Sequence, residues 1–112
     1  AKSLLAGERF SAVYAMNDVM AFGAITAIQE AGLRVPEDIA VVGFDDAPWA
    51  EWLHPPLTTV AQPAYELGAT AARLLLERLQ APRRPTRSVV LETRLVVRAS
   101  CGARSAGRRE EV

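Results

Sequence analysis

Apolar residues are spaced along this chain in two different ways. Ser11–Met16 (Ser-Ala-Val-Tyr-Ala-Met) and Ile39–Phe44 (Ile-Ala-Val-Val-Gly-Phe) are short, nearly continuous apolar runs. Strands of a parallel sheet covered on both faces read this way. Between them, Ala21, Ala24, Ile25 and Ile28 fall at i, i+3, i+4 and i+7, which is one stripe of a helix. Asn17-Asp18 opens that helix, and Asp18 suits its first turn, where a carboxylate meets unpaired N–H groups. Gly32 is its stop. A strand, a helix over 18–31 and a second strand form a βαβ unit, which predicts parallel strands and a right-handed crossover. Val19, Phe22 and Thr26 lie well off the stripe. A second, partly apolar face asks for a second neighbour, either another helix of the chain or a partner subunit, and spacing alone leaves both open.

The flanks follow the same logic. Ala1–Gly7 reads as the end of a helix with Leu4 and Leu5 on its apolar side. Val35-Pro36-Glu37-Asp38 is a turn, and Pro48–Leu53 a short helix carrying Trp49 and Trp52, broken by Pro55-Pro56. Leu57–Ala61 suits a short strand. Pro63 sits where a first helical turn tolerates it, ahead of a helix over Ala64–Gln80. Its broad apolar face is Leu67, Ala71, Leu74, Leu75 and Leu79. Pro82-Arg83-Arg84-Pro85 is a linker, and Arg87–Thr93 and Leu95–Ser100 read as extended. Cys101–Val112 has almost no apolar content and reads as a disordered tail.

With 112 residues, the chain is one domain or part of one. It opens without Met and without a signal-peptide pattern, and reads as cut from something longer. No apolar run approaches the ~20 residues of a transmembrane helix. One cysteine, Cys101, and one histidine, His54, exclude a disulfide framework and leave no His/Cys metal site. His54, ahead of two prolines in a turn, reads as a surface residue. Thirteen basic residues balance thirteen acidic ones, unevenly: residues 1–72 hold three basic against nine acidic, and residues 73–112 ten Arg against four Glu. The arginines are scattered, which suits a solvated surface better than a phosphate-binding patch.

Ligands of parallel α/β sheets bind beyond the carboxyl ends of the strands. Asn17-Asp18 follows the first strand and Asp45-Asp46 the second, so both pairs belong to one edge. An amide that donates and accepts, beside a carboxylate that accepts, suits a ligand rich in hydroxyl or N–H groups, such as a sugar or nucleoside. Phosphate does not suit an acidic edge. The same residues also serve local turns and caps. We assign Asp45 to a ligand, and Asp18 and Asp46 to caps or turns. Enzymatic readings fare worse. Adjacent Asp45 and Asp46 side chains diverge at a strand end, no G-x-S-x-G elbow exists, Cys101 has no base, and no Gly-rich phosphate loop is present.

These stretches resemble the lactose-repressor/galactose-repressor (LacI/GalR) transcription regulators. The matching residues are Ala-Val-Tyr-Ala-Met-Asn-Asp-Val-Met-Ala-Phe-Gly-Ala (12–24), Gly-Leu-Arg-Val-Pro-Glu-Asp-Ile-Ala-Val-Val-Gly-Phe-Asp-Asp (32–46), Pro-Pro-Leu-Thr-Thr-Val-Ala-Gln-Pro (55–63), Glu-Leu-Gly (66–68) and Leu-Val-Val-Arg-Ala-Ser-Cys (95–101). The resemblance implies a three-layer α/β fold with a parallel sheet, of the type I periplasmic-binding-protein kind, represented by its C-terminal portion. It implies a lobe over residues 1–61, a crossover helix and strand over 62–94 that pack on another lobe, a return strand over 95–102, and a tail over 103–112. It assigns effector contacts to Asn17 and Asp45, with Gln62 at a crossover near the cleft. The family position after Pro63 can hold an aromatic that packs on the ligand; this chain has Ala64. It places Phe22, Trp52 and Leu53 at a homodimer interface. It implies a cytoplasmic repressor that takes a small-molecule effector, is not an enzyme, needs no metal or cofactor, and reaches operator DNA only through a helix-turn-helix domain absent from these residues. Two other readings remain: a periplasmic sugar-binding component of an ABC transporter, which shares the core, and, more weakly, a hydrolase using Asp45 or Asp46.

Overall fold

The computed structural model describes residues 1–103, so most of the expected tail over 103–112 lies outside the described residues. The elements in order are α1 (Lys2–Gly7), β1 (Ala12–Tyr14), α2 (Asp18–Glu30), β2 (Ala40–Val42), a 3₁₀ turn (Ala50–Trp52), β3 (Thr59–Ala61), α3 (Ala64–Gln80), β4 (Arg94–Val96) and a second 3₁₀ turn (Ala99–Cys101). The described residues form two compact units, one of Ala1–Ala61 with residues 94–103, the other of Gln62–Thr93.

In the first unit β1 and β2 are parallel, with Ala12 opposite Ala40, Val13 opposite Val41 and Tyr14 opposite Val42. The ladder extends at both ends, through Ala40 N–H to Ser11 O (2.9 Å) and Ala15 N–H to Val42 O (2.8 Å). The expected stripe of α2 is the buried one: Ala21, Ile25 and Ile28 meet Ala15, Val35, Ile39, Val41, Ala50 and Leu57 in one core. Each fully buried Ile, Leu or Val there contributes about 1.5–3 kcal/mol relative to exposure. Beyond β2 the chain keeps pairing: Gly43 N–H donates to Thr58 O and Asp45 N–H to Val60 O, both at 2.9 Å. These bonds set residues 58–61 parallel to 42–45. β3 then pairs antiparallel with β4, Thr59 opposite Val96 and Ala61 opposite Arg94.

Three expectations need correction. The first apolar run is not covered on both faces, since Val13 and Ala15 face the core while Ala12, Tyr14 and Met16 are exposed. An apolar run records that cover is wanted, not that the described residues supply it. Arg87–Thr93 forms no strand among the described residues, because a ladder needs a partner and none lies beside it. Ser100 and Cys101 are not tail or extended chain. They form a 3₁₀ turn in which buried Ser100 donates to Val41 O (2.6 Å) and accepts from Thr58 N–H (2.8 Å), so a hydroxyl bridges two strands.

At the turn before β2, the Arg34 guanidinium grips Asp38 through two bonds of 3.0 Å, and Arg34 N–H adds a third at 2.7 Å. These bonds favour the ionised carboxyl and hold Asp38 below the ordinary aspartate value. A lowered folded-state value means the pair's small contribution is complete above the ordinary carboxylate pKa and is lost as pH falls through the folded value. An NMR titration of the Asp38 carboxyl carbon should find its midpoint below that of an unstructured aspartate; a midpoint at or above it refutes the assignment.

In the second unit, α3 spans the residues its pattern predicts, yet none is buried, and Leu67, Leu75, Leu76 and Leu79 are exposed. Arg78 closes its C-terminal end, donating to Pro82 O (3.2 Å) and Arg84 O (3.1 Å), and Arg87 pairs with Glu77 at 2.9 Å. These arginines hold their own loop in place, in keeping with a solvated surface. No helix among the described residues is long and apolar enough to cross a membrane.

Candidate functional site

The parallel register decides where the polar pairs stand. Tyr14 lies opposite Val42, and three residues further on come Asn17 and Asp45. Two strands running the same way therefore deliver both residues beyond one end of the ladder.

Asn17 is the N-cap of α2, where its side-chain oxygen accepts from Met20 N–H at 2.8 Å. The capping bond uses the carbonyl oxygen and leaves the amide's N–H groups as donors at the rim. Asp18 lies in the first turn of α2, as expected, but the cap is Asn17 and the Asp18 carboxylate has another task. Only 1% exposed, Asp18 accepts from Thr59 Oγ1 at 2.6 Å through one carboxylate oxygen and from Ala47 N–H at 2.7 Å through the other. A buried carboxylate without such bonds is strongly disfavoured; here both oxygens are engaged. The approach needs a glycine nearby: a Cβ at Gly43 collides with Asp18 Oδ1 and comes within 3.1 Å of Leu57 Cδ2 and 3.3 Å of Ala21 Cβ.

Asp45 and Asp46 both take left-handed backbone angles, with φ of 121° and 56°. Such conformations cost L-residues about 1–3 kcal/mol each and persist only where the surroundings enforce them. Three successive amides are enforced here. Asp45 N–H donates to Val60 O (2.9 Å), Asp46 N–H to Thr59 Oγ1 (3.3 Å), and Ala47 N–H to Asp18. Asp46 is also held through its side chain: half-buried Arg98 meets it at 2.9 Å while donating to Leu57 O at 3.0 Å. Asp46 is thus a turn residue, as the sequence suggested, with its carboxylate engaged by Arg98. Asp45 is exposed at the rim. Asp18, Thr59, Arg98 and Gly43 were not singled out as a set, because their meeting depends on residues 58–61 lying beside 42–45 and on β4 lying beside β3, and no local motif announces it.

Gln62 belongs to the other unit, where it is half-buried just before Pro63 and its carbonyl accepts from Ala64 N–H at 2.9 Å. Of the residues assigned to a dimer interface, Phe22 is 50% and Trp52 74% exposed, so Trp52 is not core within this unit. Leu53 is half-buried against the core. Phe22 meets Trp49 edge-on, ring centroids 6.2 Å apart. An apolar groove of about 500 Å³ lies elsewhere, between α1, β1 and α2, and its lining of Leu4, Leu5, Phe10, Val13 and Met20 has the wrong chemistry for a hydroxyl-rich ligand. Among the described residues no group of three or more His, Cys, Asp or Glu side chains could hold a metal ion.

Comparison with known proteins gives the same fold. A periplasmic binding protein-like domain family matches residues 2–101. The lactose operon repressor of Rhizobium radiobacter is 50% identical over 107 residues, covering 95% of this chain and 94% of the relative. The ribose operon repressor of Haemophilus influenzae is 43% identical over 97 residues, covering 87% of this chain and 29% of the relative, so the chain spans less than a third of that protein. A LacI family transcriptional regulator from Enterococcus faecalis V583, solved with bound ribose, superposes with a TM-score of 0.81 at 38% identity, over 89% of this chain and 38% of the regulator. The chain belongs to the periplasmic-binding-protein-like domain family, among the LacI-type transcriptional regulators.

Proposed function

We propose that this chain is the C-terminal part of the effector-binding core of a cytoplasmic repressor, that its effector is a sugar or a related hydroxyl-rich molecule, and that it is not an enzyme. The observation that carries the reading is the shared register, which sets Asn17 and Asp45 at one rim. Asp45 accepts hydroxyl hydrogens there and Asn17 donates through its amide; the resemblance to the family also assigns Gln62 to the effector. The regulators named above, one of them solved with ribose, favour a regulator over a transporter component. Residues 1–61 and 95–102 act as one lobe, and 62–94 pack on another. Operator DNA is read by a helix-turn-helix domain outside these residues. Effector binding acts by favouring one arrangement of the lobes, which requires different affinities for the two states.

Titrating the full-length protein with D-ribose and with lactose in a calorimeter tests the ligand class. Saturable binding of one sugar per chain is expected, and heat of dilution alone from every neutral sugar tried rejects it. Dimerisation is assigned to Phe22, Trp52 and Leu53, continuous with the Phe22–Trp49 pair. A charge in place of an exposed aromatic at the centre of a subunit contact costs several kcal/mol. Sedimentation of Trp52→Glu should therefore show at least tenfold weaker association, and an unchanged dimer removes Trp52 from the interface.

A further inference from the structure

We propose that Asp18 is a positioning residue for the ligand-facing Asp45, acting through Ala47 and Thr59 without touching the ligand itself; this rests on the proposed sugar site. Two consecutive left-handed L-residues do not hold themselves. Released, Asp45 and Asp46 relax towards ordinary backbone angles and the Asp45 carboxylate leaves its place at the rim. Asp18 acts on two consecutive amides, the one between the strained residues and the one that follows them. Its Oδ2 takes the amide of Ala47, the residue that follows the pair. Its Oδ1 accepts a hydrogen bond from the Thr59 hydroxyl, and that fixes the hydroxyl oxygen as acceptor for Asp46 N–H. One buried carboxylate thereby ties the loop to the first turn of α2 and to β3. The first turn of α2 also carries the Asn17 cap, so the same residue keeps the two rim positions in step. No ligand reaches Asp18, which is 1% exposed.

Three variants of the full-length protein test the clamp, with two readouts: affinity for D-ribose and for lactose, and amide hydrogen exchange compared between Ala47 and Ala15. The Ala15 amide sits in the β1–β2 ladder and reports the core rather than the loop. Asp18→Ala should weaken sugar binding at least tenfold and speed exchange at Ala47 at least tenfold, with exchange at Ala15 changed less than threefold. Asp18→Asn keeps an acceptor for Ala47 N–H and a group to bond the Thr59 hydroxyl while removing the charge. It should restore both readouts to within about threefold, which separates positioning from the field of the carboxylate. If Asp18→Ala does not fold, Thr59→Val removes only the hydroxyl link and should produce the same local change at a smaller size. Equal acceleration at Ala47 and Ala15 overturns the proposal, leaving Asp18 a general stability residue. So does weakened binding with Ala47 exchange unchanged. If the unmodified protein binds neither sugar, the sugar reading fails, and the exchange of Ala47 relative to Ala15 still decides the clamp.

Discussion

Asp45→Ala should lower affinity for the proposed sugar effector roughly ten- to a hundredfold while leaving the fold and the proposed subunit contact in place. A hydrogen bond to a charged group contributes about 1.5–3 kcal/mol, and each 1.4 kcal/mol is about tenfold in a binding constant. The effect should be clean because Asp45 is exposed, so its side chain fills no core space. The backbone is the complication, since φ at this residue is 121° and alanine tolerates that no better than aspartate. Asp45→Gly resolves it by removing the same carboxylate while fitting the angle. Both variants should lose affinity alike, with circular dichroism and melting temperature close to the unmodified protein. Affinity unchanged in calorimetry in either variant refutes the assignment.

Gly43→Ala should be the most damaging single methyl in the lobe. The added Cβ meets Asp18 Oδ1 and crowds Leu57 Cδ2 and Ala21 Cβ, and both of these residues are fully buried. Overpacking a core of this kind costs about 1–3 kcal/mol. Displacing Asp18 leaves a buried carboxylate short of partners, at about 1–3 kcal/mol more. The sum, on the order of 2–6 kcal/mol, corresponds to a drop of at least about 8 °C in melting temperature, at about 4–8 °C per kcal/mol. Gly23→Ala is the matched control. Nothing lies within 4 Å of a Cβ there, and Gly23 sits inside α2, so alanine should stabilise by about 0.5–1 kcal/mol. A melting temperature for Gly43→Ala within a couple of degrees of the unmodified protein contradicts the packing account.

Local sequence carried the elements because each depends on near neighbours. The stripe at Ala21, Ala24, Ile25 and Ile28 is the buried side of α2, and α3 spans the residues its pattern and Pro63 predict. Asn17 and Asp45 at one end of the ladder followed from the βαβ order, since a crossover of that length joins parallel strands. The first apolar run misled about cover, because its composition is the same whether or not the described residues bury both faces. Ser100 misled too. A serine in a polar stretch reads as tail, and only β2 and the segment at Thr58 arriving on either side make it a bridge.

By itself, then, the sequence determined the βαβ order, the helix stripes and the residue types at the strand ends, all set by spacing within a few turns or strands. The tertiary structure alone decided what each polar residue does there. Whether Asp18 caps a helix or holds a loop, and whether Asp46 or Asp45 meets solvent, depends on Thr59 and Arg98, which lie 41 and 52 positions from them along the chain. A carboxylate takes the donors that packing brings within about 3 Å, and those donors come from strands whose arrival no local pattern encodes.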